Sequence, residues 1–163
     1  MTDPVILALD ELQADYDIVD CDPDLADTVQ FCDRYGYRLE ESANAILVVG
    51  KADPRVYAMC VVLATTQIDV NKVVRKKLGV KKASFASPEE TTQMTGMTLG
   101  GVTPFGLPGT LPVWIDSKVM NCQRVIVGGG SRNRKIYVDP RSLEALPSAD
   151  VIENLAKQPP AST

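Results

Sequence analysis

The chain has 163 residues, 45% apolar and 23% charged, which suits one globular domain with a buried core. It contains no histidine, which removes Ser-His-Asp and Cys-His catalysis, imidazole base chemistry and nearly every common zinc site. The net charge of −4 hides an asymmetry: residues 1–41 carry twelve acidic and two basic side chains, and residues 42–163 carry nine acidic and fifteen basic.

Behind Pro4, Val5, Ile6, Leu9 and Leu12 repeat at helical spacing, and Tyr16–Asp20 then alternates like a short strand. A second helix is expected from about Leu25 to Tyr35, stopping at Gly36. Ala45–Val49 and Tyr57–Leu63 are apolar runs separated by a turn containing Pro54, and read as neighbouring buried strands. Asp69 can cap a helix through Val73, Val74 and Leu78 to Gly79, and Ser87-Pro88-Glu89-Glu90 is a second helix start. Residues 96–112 hold five glycines and three prolines without periodicity, which predicts a long shaped loop. Val113–Ile115, Arg124–Val127 and Lys135–Val138 read as strands, the last two joined by the glycine-rich turn 128–134, and Pro140–Leu146 reads as a short helix. Adjacent strands joined by turns favour an α/β domain of the α+β type, with a mixed, largely antiparallel sheet and packed helices. One domain is expected over 1–158, with a disordered tail at 159–163.

No apolar run is long enough for a membrane span, and Met1-Thr2-Asp3-Pro4 does not open a secretory leader, so the cytoplasm is the expected compartment. Cys21, Cys32, Cys60 and Cys122 lack C-x-x-C spacing and are expected to be reduced and structural. No metal or cofactor is expected.

Without histidine, any chemistry must use backbone groups, hydroxyls, carboxylates, lysines or the substrate. Three segments could carry it. Gly100-Gly101-Val102-Thr103-Pro104 reads either as a tight surface turn or as a loop that aims backbone N–H groups at an oxyanion. Gly128–Asn133 reads as a hairpin turn, or as a place where Ser131 and Arg132 meet a phosphate or ribose; no P-loop pattern is present. The helix after Asp69 exposes Lys72, Arg75 and Lys76 with Lys77, Lys81 and Lys82 nearby, as a solvated face or a phosphate-binding one.

Taken in order, Gln67–Lys72, Ala86–Glu90, Thr95-Gly96, Gly100–Gly106, Leu111–Asp116 and Gly128–Asn133 resemble the YbaK/prolyl-tRNA-synthetase editing domains over roughly residues 5–155. The resemblance implies a mixed α/β fold around a curved sheet. It also implies hydrolysis of the ester bond of mischarged aminoacyl-tRNA, with aminoacyl-tRNA as partner and an aminoacyl-tRNA synthetase as a candidate second one. It puts the substrate's carbonyl and α-amino region at Gly100, Gly101, Thr103 and Pro104. Gly129, Gly130, Ser131, Arg132 and Asp116 would line the same cleft, and Lys72, Arg75 and Lys76 would touch tRNA.

The chain departs from that family at one position. Asn44 stands where the family typically carries a functional lysine at the start of the first long strand. Lys51, seven residues on, would lie roughly 20 Å away along a strand. An amide can donate a hydrogen bond but carries no charge. Asn44 therefore belongs among the expected catalytic residues, and its identity leaves a second reading open: a catalytically silent relative that binds tRNA or a synthetase.

Overall fold

The computed structural model describes residues 3–159, so all of the expected tail except Pro159 lies outside the described residues. α1 (Pro4–Glu11) begins where the Asp3 carboxylate accepts the Val5 and Ile6 N–H groups, and it turns Val5 and Leu9 inward. β1 (Tyr16–Asp20) precedes α2 (Thr28–Tyr35). That helix is shorter than expected because Pro23–Leu25 forms a separate 3₁₀ turn. β2 (Ala43–Gly50) and β3 (Val56–Leu63) pair antiparallel, with Ala43 opposite Leu63.

After β4 (Gln67–Ile68), Asp69 accepts the Lys72 N–H as a cap. The first turn is nevertheless a wide π turn, Val70–Val74, before α3 (Arg75–Leu78). β5 (Ala83–Phe85) leads to α4 (Pro88–Thr95), where Ser87 and Glu90 form a reciprocal capping box. β6 (Val113–Asp116), β7 (Val125–Gly128), β8 (Arg134–Val138), α5 (Arg141–Glu144), β9 (Ala149–Ile152) and β10 (Ala156–Lys157) follow.

The strands form a mixed five-stranded sheet, β5-β2-β3-β6-β9, an antiparallel three-stranded sheet, β1-β8-β7, and the pair β10-β4. Among the described strand pairs, β3–β6 and β6–β9 run parallel and the rest antiparallel. Both parallel pairs are bridged by long crossovers, which parallel pairing requires. The main core lies between the two larger sheets, where Leu47, Met59, Val61 and Ile115 meet Val125, Val127, Ile136 and Val138, with Val5, Leu9 and Phe105 closing one side. On the outer face of the five-stranded sheet, Val74 packs on Val48, Ala58 and Val62. On the outer face of the three-stranded sheet, Phe31 and Cys32 of α2 pack with Cys21 and Ile126. The architecture is thus helix, sheet, sheet, helix.

Folding resolves part of the charge asymmetry. Arg124 pairs with Asp15 and Asp17, Arg132 with Asp27, and Arg134 with Asp3, joining the acid-rich start of the chain to the β7–β8 region. The four thiols are unpaired. Burial pushes that of Cys60 up to about 12. No helix among the described residues is long and apolar enough to cross a membrane.

Candidate active site

The two larger sheets are stitched together where Ser42, just before β2, bridges to Ile126 of β7. A cleft of about 230 Å³ opens beside this seam, between the start of β2, the end of β7, the start of α2 and the loop 99–102. Asn44 lies on one wall, and its Oδ1 accepts a hydrogen bond of 2.6 Å from Thr28 Oγ1. The Asn44 amide nitrogen has no protein acceptor among the described residues, so its N–H groups are available to a ligand.

The glycine loop forms the opposite wall, and its peptides are individually fastened. Gly101 N–H donates to Thr98 O at 2.9 Å, closing a turn in which Gly100 takes a φ of +88°, the position that favours glycine. Arg132 Nη1 donates to Leu99 O at 2.8 Å, Lys135 Nζ to Gly100 O at 2.8 Å, and Gly130 N–H to Gly101 O at 2.7 Å. In a planar trans peptide the N–H points opposite to the C=O. Holding Leu99 O therefore sets the direction of Gly100 N–H, and holding Gly101 O sets that of Val102 N–H. Among the described residues neither N–H has a protein acceptor, and both residues line the cleft. The arrangement offers two preorganised donors, at Gly100 and Val102, while Gly101 N–H is already occupied.

Asn44 and Gly100 line this cleft, whereas Gly101, Thr103, Pro104, Asp116, Gly129, Gly130, Ser131 and Arg132 lie outside its lining. Gly101 sits behind the loop, where an added Cβ would come within 2.6–2.8 Å of the Ser131 backbone. Thr103 is fully buried, and its hydroxyl has no hydrogen-bond partner among the described residues. Pro104 borders a separate groove beside α1. Asp116 is fully buried at the end of β6, 3.5 Å from Lys118 Nζ. Arg132 acts from behind the loop: besides Leu99 O it holds Pro23 O at 2.9 Å and Asp27 Oδ1 at 3.2 Å.

Lys135 is a cleft residue that the sequence reading passed over. It is buried at 7% exposure on β8, the central strand of its sheet, and its Nζ lies 5.6 Å from the Phe31 ring centroid. Desolvation holds its ammonium below the ordinary lysine value. Ile136 and Val138 face the main core, so alternation sends Lys135 and Tyr137 to the other face. A hairpin strand suggests that this face is solvated, but α2 covers it. Tyr137 was the available signal, as an aromatic sharing the lysine's face.

The basic segment starts near the same end of β2. Leu63 pairs with Ala43 and β4 follows directly, whereas Val80, at the end of the basic helix, lies where a Cβ added at Gly50, the far end of β2, would meet it. Lys72 and Lys76 are exposed, and neither forms an ion pair among the described residues. Asn44 shares its face of β2 with Val48, on which Val74 packs. No group of three or more metal-binding side chains is found among the described residues.

The model of the aminoacyl-tRNA editing domain matches residues 22–146. The uncharacterized protein YwhH of Bacillus subtilis (strain 168) is 32% identical over 127 residues, 78% of either chain. Two solved structures share the fold. One is of a protein provisionally assigned as a trans-editing enzyme for prolyl-tRNA synthetase, with a TM-score of 0.77, 22% identity and coverage of 92% of this chain and 93% of that one. The other, hypothetical protein APE2540, has a TM-score of 0.83, 18% identity and coverage of 95% and 100%. At these identities the structural likeness speaks for the fold alone, whereas the family match spans most of the sequence. The chain belongs to the aminoacyl-tRNA editing domain family.

Proposed function

We propose that this protein hydrolyses the ester bond of mischarged aminoacyl-tRNA. The observation that carries the reading is the pair of unoccupied backbone donors, Gly100 N–H and Val102 N–H, held rigidly at a cleft. Such donors stabilise negative charge on a carbonyl oxygen without a charged side chain, as ester hydrolysis requires. At about 230 Å³ the cleft is smaller than the roughly 300–1,000 Å³ of drug-sized sites. It suits the acyl group and its ester, with the adenosine outside. Asn44 Nδ2 orients the ester or terminal ribose from the opposite wall. A water attacks, positioned by a ribose hydroxyl, since the chain has no imidazole base. Lys72, Arg75 and Lys76 contact tRNA phosphates from the same face of the sheet as Asn44. Charged tRNA is cytoplasmic, and we assign the protein there, with a synthetase as a candidate partner.

The test is release of amino acid from a panel of mischarged tRNAs by the purified protein. A second reading, a silent tRNA- or synthetase-binding relative, is favoured by the neutral Asn44 side chain and its engagement with Thr28. It predicts a mobility shift of tRNA with no release on any member of the panel.

A further inference from the structure

Lys135 brings a positive charge to the cleft that the donor pair alone does not explain. Its single protein acceptor among the described residues is the neutral Gly100 carbonyl, and it forms no ion pair there. None of the charged and titratable groups around it pairs with it directly among the described residues: Asp27 lines the same cleft and favours the charged lysine, but only from beyond ion-pair distance. Asp27 is paired with Arg132, and burial raises the Cys21 and Cys32 thiols and keeps them neutral. A cation taken out of water without a partner is costly, and a bound anion removes that cost. The same ammonium grips the carbonyl of the peptide lying between the two unoccupied donors.

We propose that the Lys135 ammonium acts with Gly100 N–H and Val102 N–H to hold the negative oxygen formed when the substrate's carbonyl is attacked, which makes Lys135 a catalytic residue. This rests on the deacylase reading. Water oxygen adds to the carbonyl carbon, and the C=O π pair moves onto oxygen. When that pair returns, the bond to the ribose oxygen breaks. The ribose oxygen takes a proton relayed from the attacking water, leaving free amino acid and a ribose hydroxyl. Lys135 keeps its proton throughout. Because burial lowers its proton affinity, hydrolysis should fall on the alkaline side sooner than an ordinary lysine would dictate.

The assignment is tested by binding as well as turnover, on the full chain. Two probes with the same α-amino group are compared: adenosine esterified at O3′ with 1-aminoethylphosphonate, whose tetrahedral centre is anionic, and 3′-alanylamino-3′-deoxyadenosine, whose planar amide centre is neutral. Wild type should bind the anionic probe at least about tenfold more tightly, a charge-assisted contact being stronger than a neutral one. Lys135→Met and Lys135→Gln should lose the preference, and Lys135→Arg should retain part of it. In single turnover, Lys135→Met should be slower by at least about tenfold and lose the alkaline limb. Equal binding of both probes by wild type would overturn the proposal, as would an undiminished preference in folded Lys135→Met and Lys135→Gln. If wild type keeps the preference yet releases amino acid from no charged tRNA, the deacylase reading falls and anion recognition by Lys135 stands. Hydrolysis without the preference leaves the reading intact and removes Lys135 from the chemistry.

Discussion

Arg132→Ala separates the orientation of the donors from their presence. Among the described residues Arg132 donates to Leu99 O at 2.8 Å, Pro23 O at 2.9 Å and Asp27 Oδ1 at 3.2 Å; Leu99 and Asp27 line the cleft, whereas Arg132 itself does not. Its side chain is 32% exposed. Water therefore replaces much of what is lost, and unfolding free energy should fall by only about 1–2 kcal/mol. Activity should suffer more. Gly100 N–H remains, but its peptide loses the clamp that fixes its direction. A fully lost oxyanion donor typically costs roughly 10²–10³ in rate. A donor that is present but loosened should cost about tenfold to a hundredfold in single-turnover deacylation, with KM little changed. A lysine has one ammonium and no fork, so Arg132→Lys should recover only part of the rate. Amide ¹⁵N relaxation should report larger amplitudes at residues 99–102 in Arg132→Ala. A folded Arg132→Ala with the wild-type single-turnover rate and unchanged relaxation would refute the reasoning that held carbonyls aim the donors.

Lys135→Met should leave the unfolding temperature at neutral pH unchanged or raised, because it removes a buried cation that lacks an acidic partner. Since the folded-state pKa of Lys135 is lowered, its penalty is present at neutral pH and fades as pH rises through that value toward the ordinary lysine value, so thermal melts of the two proteins should converge there. Asn44→Lys breaks the Thr28 contact and adds a second ammonium to the cleft that Lys135 also lines, and two like charges within roughly 10 Å in an effective dielectric of about 20 repel by on the order of 2 kcal/mol. Denaturant unfolding should show that loss, and Asn44→Lys/Lys135→Gln should regain most of it. Changing Lys72, Arg75 and Lys76 together to Ala should raise KM for charged tRNA and make the logarithmic salt dependence of binding shallower by roughly 2–3; an unchanged slope would leave them as solvated surface. Gly101→Ala should destabilise the fold by about 1–3 kcal/mol in chemical denaturation, because its Cβ meets the Ser131 backbone, so lost activity there would report packing.

Long apolar runs were legible in the sequence because burial on both faces leaves little choice of residue: β2, β3, β6 and β7 appear close to where the runs predict them. Helix signals at Pro4 and Ser87 were equally readable, since caps act within four residues. The short strands β4, β5, β9 and β10 were not, because two to four residues show no periodicity and their pairing is decided by distant partners. The site divides in the same way. The glycine loop announced itself through composition, but which of its N–H groups remain available depends on bonds from Arg132, Lys135 and Gly130, some thirty residues later. Lys135 could not be read as buried from its own strand, because α2, which covers it, comes a hundred residues earlier.

The most direct test of the account is a single-turnover deacylation panel with the purified wild-type protein and tRNAs each esterified to a wrong small amino acid. At least one ester should be released well above its spontaneous rate, and Lys135→Met should slow that release by at least about tenfold. Binding of charged tRNA with every ester surviving at its spontaneous rate would contradict it.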